Sequence, residues 1–127
     1  MKEFMFIIRN KITHQDSWSR EYFDEFLASC QFYIEGIKKD GKLISAQPFL
    51  KEGRIISGTV DNFKESTFNE TDEIQVGYYH IRAENLDEAV EIAKRNPEFS
   101  FSSTTRIEVR PIKTKEDSTA YNYPNEN

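Results

Sequence analysis

Between Ser19 and Gly41 the apolar side chains fall at Tyr22, Phe23, Phe26, Leu27, Cys30, Tyr33, Ile34 and Ile37, the three-and-four spacing of a one-sided helix. Ser19 supplies an N-cap. Lys38-Lys39-Asp40-Gly41 supplies cations at the negative end and a glycine able to take the left-handed C-cap conformation. A helix with so wide an apolar stripe is stable only when the stripe is covered, and the segments around it have extended character, so the pattern predicts helices laid on a sheet. A second helix is predicted after Asn85, where Asn85-Leu86-Asp87-Glu88 places a cap and an acid at the third helical position. Leu86, Ala89, Val90 and Ala93 line its apolar side, and Asn96-Pro97 stops it.

The extended segments are Glu3 to Arg9, Lys42 to Leu50, Arg54 to Val60, Glu73 to Ala83 and Arg106 to Ile112. Lys51-Glu52-Gly53 has the length and chemistry of a hairpin turn, so the second and third segments are expected to pair antiparallel. Pro48 lacks an N–H and belongs at an edge or a bulge. Asn10 to Ser19 and Asp61 to Asp72 read as loops, the second a polar flap anchored by Phe63 and Phe68. The order is β-α-β-β-β-α-β, an α+β two-layer sandwich with an antiparallel sheet and two helices on one face.

At 127 residues the chain fits one domain, assigned to residues 1–113; residues 114–127 lack periodicity and read as a flexible tail whose Tyr121 and Tyr123 can pack on a neighbour. The formal charge of -5, from 17 basic and 22 acidic side chains without a basic cluster, argues against nucleic acid as a partner. The single Cys30 cannot form an internal disulfide, and five apolar residues before Arg9 are too few for a signal peptide or a membrane span. The expected setting is cytoplasmic, with no membrane partner.

Period-two alternation places Met5, Ile7, Arg9, Val76, Tyr78, His80, Arg82, Arg106, Glu108 and Arg110 on the sheet face away from the helices. Met5, Ile7, Val76 and Tyr78 make that face too apolar for water alone. A second copy of the sheet is the natural cover, which predicts a homodimer packed sheet to sheet, with the charged residues paired across the seam or lining a cavity inside it.

The stretch FNETDEIQVGYYHIRAENLDEAVEIAKRNP with the closing IEVRPI resembles the YCII-related (DGPF domain) family. The matching positions are Phe68, Glu70, Thr71, Gly77, Tyr78, Tyr79, Leu86 to Ala89 and Ile107 to Pro111, and FMFIIRN and GKLISAQPF also fit. The Asp-Gly-Pro-Phe signature aligns with Glu65-Ser66-Thr67-Phe68, where only the Phe is kept. The resemblance implies a ferredoxin-like fold and a dimer of the dimeric α/β-barrel kind.

His80 is a candidate acid/base group that a neighbouring acid such as Glu108 would orient; the competing reading is a histidine hydrogen-bonded within a dimer seam. His14 with Asp16 offers a second imidazole–carboxylate pair over a pocket, or simple loop polarity, with Trp18 as an apolar lid. Arg9, Arg82 and Arg110 suit an anionic or phenolic ligand, or pair with Glu108 and Glu73. Cys30 reads as a core hydrophobe, and neither a metal site nor a cofactor loop is evident. These readings converge on a homodimer with a small-molecule pocket bounded by the outer sheet face and the two loops, taking a small aromatic or anionic metabolite. Catalysis there would be cofactor-free proton transfer by His80 or His14, with Arg9, Trp18, Tyr78, Arg82, Glu108 and Arg110 as ligand-binding residues. The alternative is a noncatalytic dimerising module that senses a ligand or binds a protein.

Overall fold

The computed structural model describes residues 1–69 and 72–125. Glu70 and Thr71, two of the positions shared with the family pattern, lie outside the described residues, as do the last two residues of the tail.

Strand β1 (Lys2–Lys11) alternates strictly: Phe4, Phe6, Ile8 and Asn10 are buried on one side, and Met5, Ile7 and Arg9 are half-buried on the other. Helix α1 (Arg20–Lys39) follows after a set of turns. Ser19 accepts from the Tyr22 N–H at its start, and Gly41, at φ 73°, turns the chain away beyond Asp40 at its end. Strand β2 (Leu43–Pro48) leads to a small hairpin of β3 (Ile55–Thr59) and β4 (Asn62–Ser66). The chain then enters the long β5 (Glu73–Ala83), helix α2 (Leu86–Lys94), the single-turn α3 (Glu98–Phe101) and the last strand, β6 (Arg106–Pro111). Asn85 caps α2 by accepting from the Glu88 N–H at 2.9 Å, while Glu88 pairs with Lys42 at 3.0 Å.

Four strands form one antiparallel sheet in the order β2-β5-β1-β6, with β1 and β5 at its centre. Both long helices cover the same face. Tyr33 and Ile37 of α1, and Ala89, Ile92 and Ala93 of α2, enclose one core with Phe4, Phe6, Ile8, Tyr79, Ile81 and Ala83. The β-α-β and β-α-β halves joined in this way are the α+β arrangement of a ferredoxin-like sandwich.

The structure corrects the expected hairpin. Lys51-Glu52-Gly53 does not close a turn between consecutive paired strands: β2 pairs with β5, and β3 pairs with β4 in a separate two-stranded sheet. The tight turn lies at Val60-Asp61, between the paired Thr59 and Asn62, and next to it Gly58, at φ 104°, sits where a Cβ would come within 2.1 Å of the Asn62 carbonyl oxygen. Much of the supposed flap at Asp61 to Asp72 is therefore strand. β2 does take a sheet edge and ends at Pro48, while the opposite edge strand, β6, ends at Pro111.

Two side-chain placements also change. The β1–β5 ladder shifts register between Ile8 and Arg9, so Val76 lies in a bulge and packs against the helix-side core instead of the outer face. Leu86, at the first turn of α2, is exposed, and Ile92 takes its place on the buried side. Beyond β6 the tail turns back on itself through a Lys115–Asn122 bridge and reaches β1, where Asn125 Nδ2 donates to Glu3 Oε1 at 2.6 Å.

Candidate functional site

The stripe of α1 divides into two parts. Its C-terminal half, Tyr33 and Ile37, closes onto the core. The rest of the stripe, Phe23, Phe26, Leu27, Cys30 and Ile34, lies over a part of the sheet that includes Ala46 and Gly77, and there the two layers do not meet. A cavity of about 410 Å³ remains, a volume typical of small-molecule sites. Its walls are mostly ring and aliphatic: the residues of α1, Ile8 and Ile12, Pro48 to Leu50 at the end of β2, Ile74 and Val76 of β5, and Tyr79. The cavity is on the helix side of the sheet and not on the outer face, where the sequence directs attention.

Two ionisable groups of this cavity stand out. His14 lies in the turns between β1 and α1, its Nδ1 2.8 Å from the Lys11 carbonyl oxygen. A carbonyl only accepts, so Nδ1 carries the proton and Nε2 presents a lone pair. That Nε2 is buried and has no hydrogen-bond partner among the described residues. Burial, ahead of the opposing carbonyl contact, holds the imidazole below its ordinary value, so it is neutral at pH 7. The second group is Glu98, 9% exposed in α3, whose carboxyl is raised to about 7 by burial. Nothing in the sequence singled it out, since it sits one residue past the helix-stopping Asn96-Pro97 with no periodic pattern around it.

Trp18 braces the site without lining it. Its ring centroid lies 4.9 Å from Tyr22, 5.2 Å from Phe26, 6.0 Å from His14 and 6.3 Å from Phe101, a knot of edge-on and tilted rings joining the turns after β1 to α1 and α3. Asp16 does not touch His14 by a hydrogen bond; it pairs with Lys51 at 3.0 Å, bridging the two rims of the cavity between exposed side chains. Cys30 forms part of the wall, its thiol pushed up to about 12 by burial and by the nearby Glu98, which leaves it an inert apolar group at neutral pH.

The remaining candidates sit together on the outer face. His80 Nε2 is 2.7 Å from Glu3 Oε1, so its orienting acid is Glu3 and not Glu108. Arg9 Nε lies 2.7 Å from Glu73 and its Nη1 3.6 Å from Glu108, and Arg110 reaches Glu108 at 3.5 Å. Arg82 stands opposite Glu3, and Tyr78, opposite Ile7, shares a 3.0 Å hydrogen bond with Ser45. The ion pairs of Arg9, His80 and Arg110 flank Met5, Ile7 and Tyr78, and none of these residues lines the cavity. Sequence alternation assigned this face, Val76 excepted, but could not show which of its charges pair.

The fold is thus that of a small α+β sandwich with a largely apolar cavity held open between one helix and the sheet. No helix of the described residues is long and apolar enough to cross a membrane. The chain belongs to the YCII-related domain family, whose profile matches residues 3–113. No curated protein matches it.

Proposed function

We propose that this protein binds a small aromatic molecule in the cavity between α1 and the sheet, with the Nε2 atom of His14 accepting a hydrogen bond from the ligand's hydroxyl group. The observation that carries this reading is the buried, partnerless Nε2 of His14, a residue that lines the cavity. A polar atom withdrawn from water without a partner is costly, and a ligand donor relieves the cost. The Lys11 carbonyl fixes the tautomer in advance, so the lone pair needs no rearrangement when a phenol enters. The same atom is placed to take the phenolic proton, which makes His14 the group for cofactor-free acid/base chemistry in this site.

Trp18, the chain's one tryptophan, stands beside His14 and serves as the reporter. Titration with p-cresol is expected to change its fluorescence saturably in the native chain. His14→Phe keeps a ring against Trp18 but removes the acceptor, and should weaken binding about tenfold, the effect of one hydrogen bond of roughly 1.4 kcal/mol. Equal binding by the variant would refute the assignment.

The outer face supports a second element of the reading, a homodimer joined sheet to sheet in the dimeric α/β-barrel manner. The half-buried row of Met5, Ile7 and Tyr78 gives such a seam its apolar centre, and the Arg9–Glu73 and Arg110–Glu108 pairs its polar rim. A protein-interaction role has its own observation in its favour. On the β3–β4 hairpin Ile56 is 68% and Phe63 65% exposed, both on the face where Gly58 lies opposite Phe63, and an isolated two-stranded hairpin is marginal in water. If p-cresol and related phenols do not bind, this hairpin becomes the functional surface.

A further inference from the structure

Glu98 is the carboxyl group of the cavity lining, and the reading above leaves it unused. Its main chain is fixed: its N–H donates to Asn96 Oδ1 at 2.9 Å, and its carbonyl accepts from Thr105 Oγ1 at 3.1 Å. Its carboxyl group, by contrast, has no hydrogen bond and no ion pair among the described residues. The titratable groups near it are the Cys30 thiol of α1 and the Tyr79 phenol of β5, both held neutral by burial, so no cation compensates the lost hydration. The cavity's cation, Lys51, is at the outer rim and already paired with Asp16 at 3.0 Å. A buried carboxyl group kept without a partner on the wall of a cavity marks a place where something else supplies one.

The chemistry of His14 and Glu98 agrees. His14 Nε2 can only accept in its fixed tautomer, and an ionised Glu98 can only accept. Both are tied to the same aromatic knot: the Trp18 ring is 6.0 Å from that of His14 and 6.3 Å from that of Phe101, three residues beyond Glu98 in α3. The wall also carries Gln15, Gln31, Gln47 and Gln75, but its larger part is ring and hydrocarbon, including Phe23, Phe26 and Tyr79, whose faces favour a positive charge.

We propose that the ligand is an aromatic amine, its ammonium group paired with the Glu98 carboxylate, its ring against the aromatic wall and its hydroxyl group donating to His14 Nε2. This inference rests on the cavity reading and adds the charge of the ligand to it. Anionic ligands are disfavoured by the same carboxylate, so the arginines of the outer face do not define the substrate class.

Isothermal titration of the full chain at pH 7.5 with p-cresol, tyramine and 4-hydroxyphenylacetate tests it. These probes share a phenol and differ in the charge at the other end. Tyramine is expected to bind at least about tenfold more tightly than p-cresol, and 4-hydroxyphenylacetate more weakly than p-cresol. In Glu98→Gln the ratio of tyramine to p-cresol affinity should fall to about one. Tyramine binding no better than p-cresol, the carboxylate probe binding best, or a ratio unchanged in the variant would each overturn the proposal while leaving p-cresol binding, and with it the cavity reading, intact. Failure of all three phenols to bind would remove both. The comparison of probes on the native chain needs no variant, so a folding defect in Glu98→Gln does not blunt it.

Discussion

Replacing Glu98 by glutamine should make this protein more stable at pH 8 and leave it little changed at pH 4. Burial raises the Glu98 carboxyl from an ordinary 4.5 to about 7 in the folded chain. The folded state therefore holds its proton over a range in which the unfolded chain has already lost it. Stability from this group is complete below pH 4.5, falls as pH rises from 4.5 to 7, and is constant above 7, because there both states are ionised. The full difference, at 1.36 kcal/mol per pH unit, is about 3 kcal/mol, and at pH 5 only about 1 kcal/mol of it has been lost. Glutamine keeps the shape and cannot ionise. Urea unfolding of the native chain and Glu98→Gln at pH 4, 5, 6 and 8 should give stability curves that separate progressively, the variant ahead by about 3 kcal/mol at pH 8 relative to pH 4. Curves that stay parallel from pH 4 to pH 8 would show that the carboxyl group is hydrated or paired when folded, and would remove the basis for treating it as a ligand's partner.

Asn10, 1% exposed, donates to Ser102 at 3.1 Å and Thr105 at 3.2 Å and accepts from the Lys11 N–H and the Thr104 hydroxyl. Asn10→Ala removes four hydrogen bonds, leaves the buried Thr105 hydroxyl short of a partner and opens a gap in the core, and should cost about 3 kcal/mol, lowering Tm by roughly 10 °C in a thermal melt. Cys30, its thiol at about 12, should react with iodoacetamide at pH 8 about a thousandfold more slowly than an ordinary thiol; labelling at the rate of a free thiol would show the cavity wall to be open. Ile7→Glu puts a charge at the centre of the outer face and is expected to give a monomer by light scattering where the native chain gives a dimer.

Elements whose signals are local were legible in the sequence. The strand from Glu73 to Ala83 and the capping roles of Ser19 and Asn85 stand where the residues put them, because alternation and caps are decided by near neighbours. The pairing of β2 with β5 was not, since partners separated along the chain leave no mark in either segment, whereas Lys51-Glu52-Gly53 imitates a turn. The bulge that moves Val76 to the helix side likewise depends on the facing strand. On the helix, Phe23, Leu27 and Cys30 read as core filler, which is correct chemistry in the wrong geometry. They face a void because α1 stands off the sheet where β2 and β5 lie side by side, an arrangement of distant segments that only the fold brings together. His14 and Trp18 stood out as residue types misplaced for a loop, while Glu98 in a polar stretch looked like any surface acid.

Proline closes both edge strands, Pro48 in β2 and Pro111 in β6. Each interrupts the row of N–H donors that a further strand would need, so neither margin of the sheet offers an unbroken template for lateral growth. A protein with an apolar outer face and an exposed hairpin carries obvious routes to fibrous self-association. In the four-stranded sheet the rims are closed in this way, which leaves its flat outer face for a second copy, and a two-fold contact there would close on itself and stop.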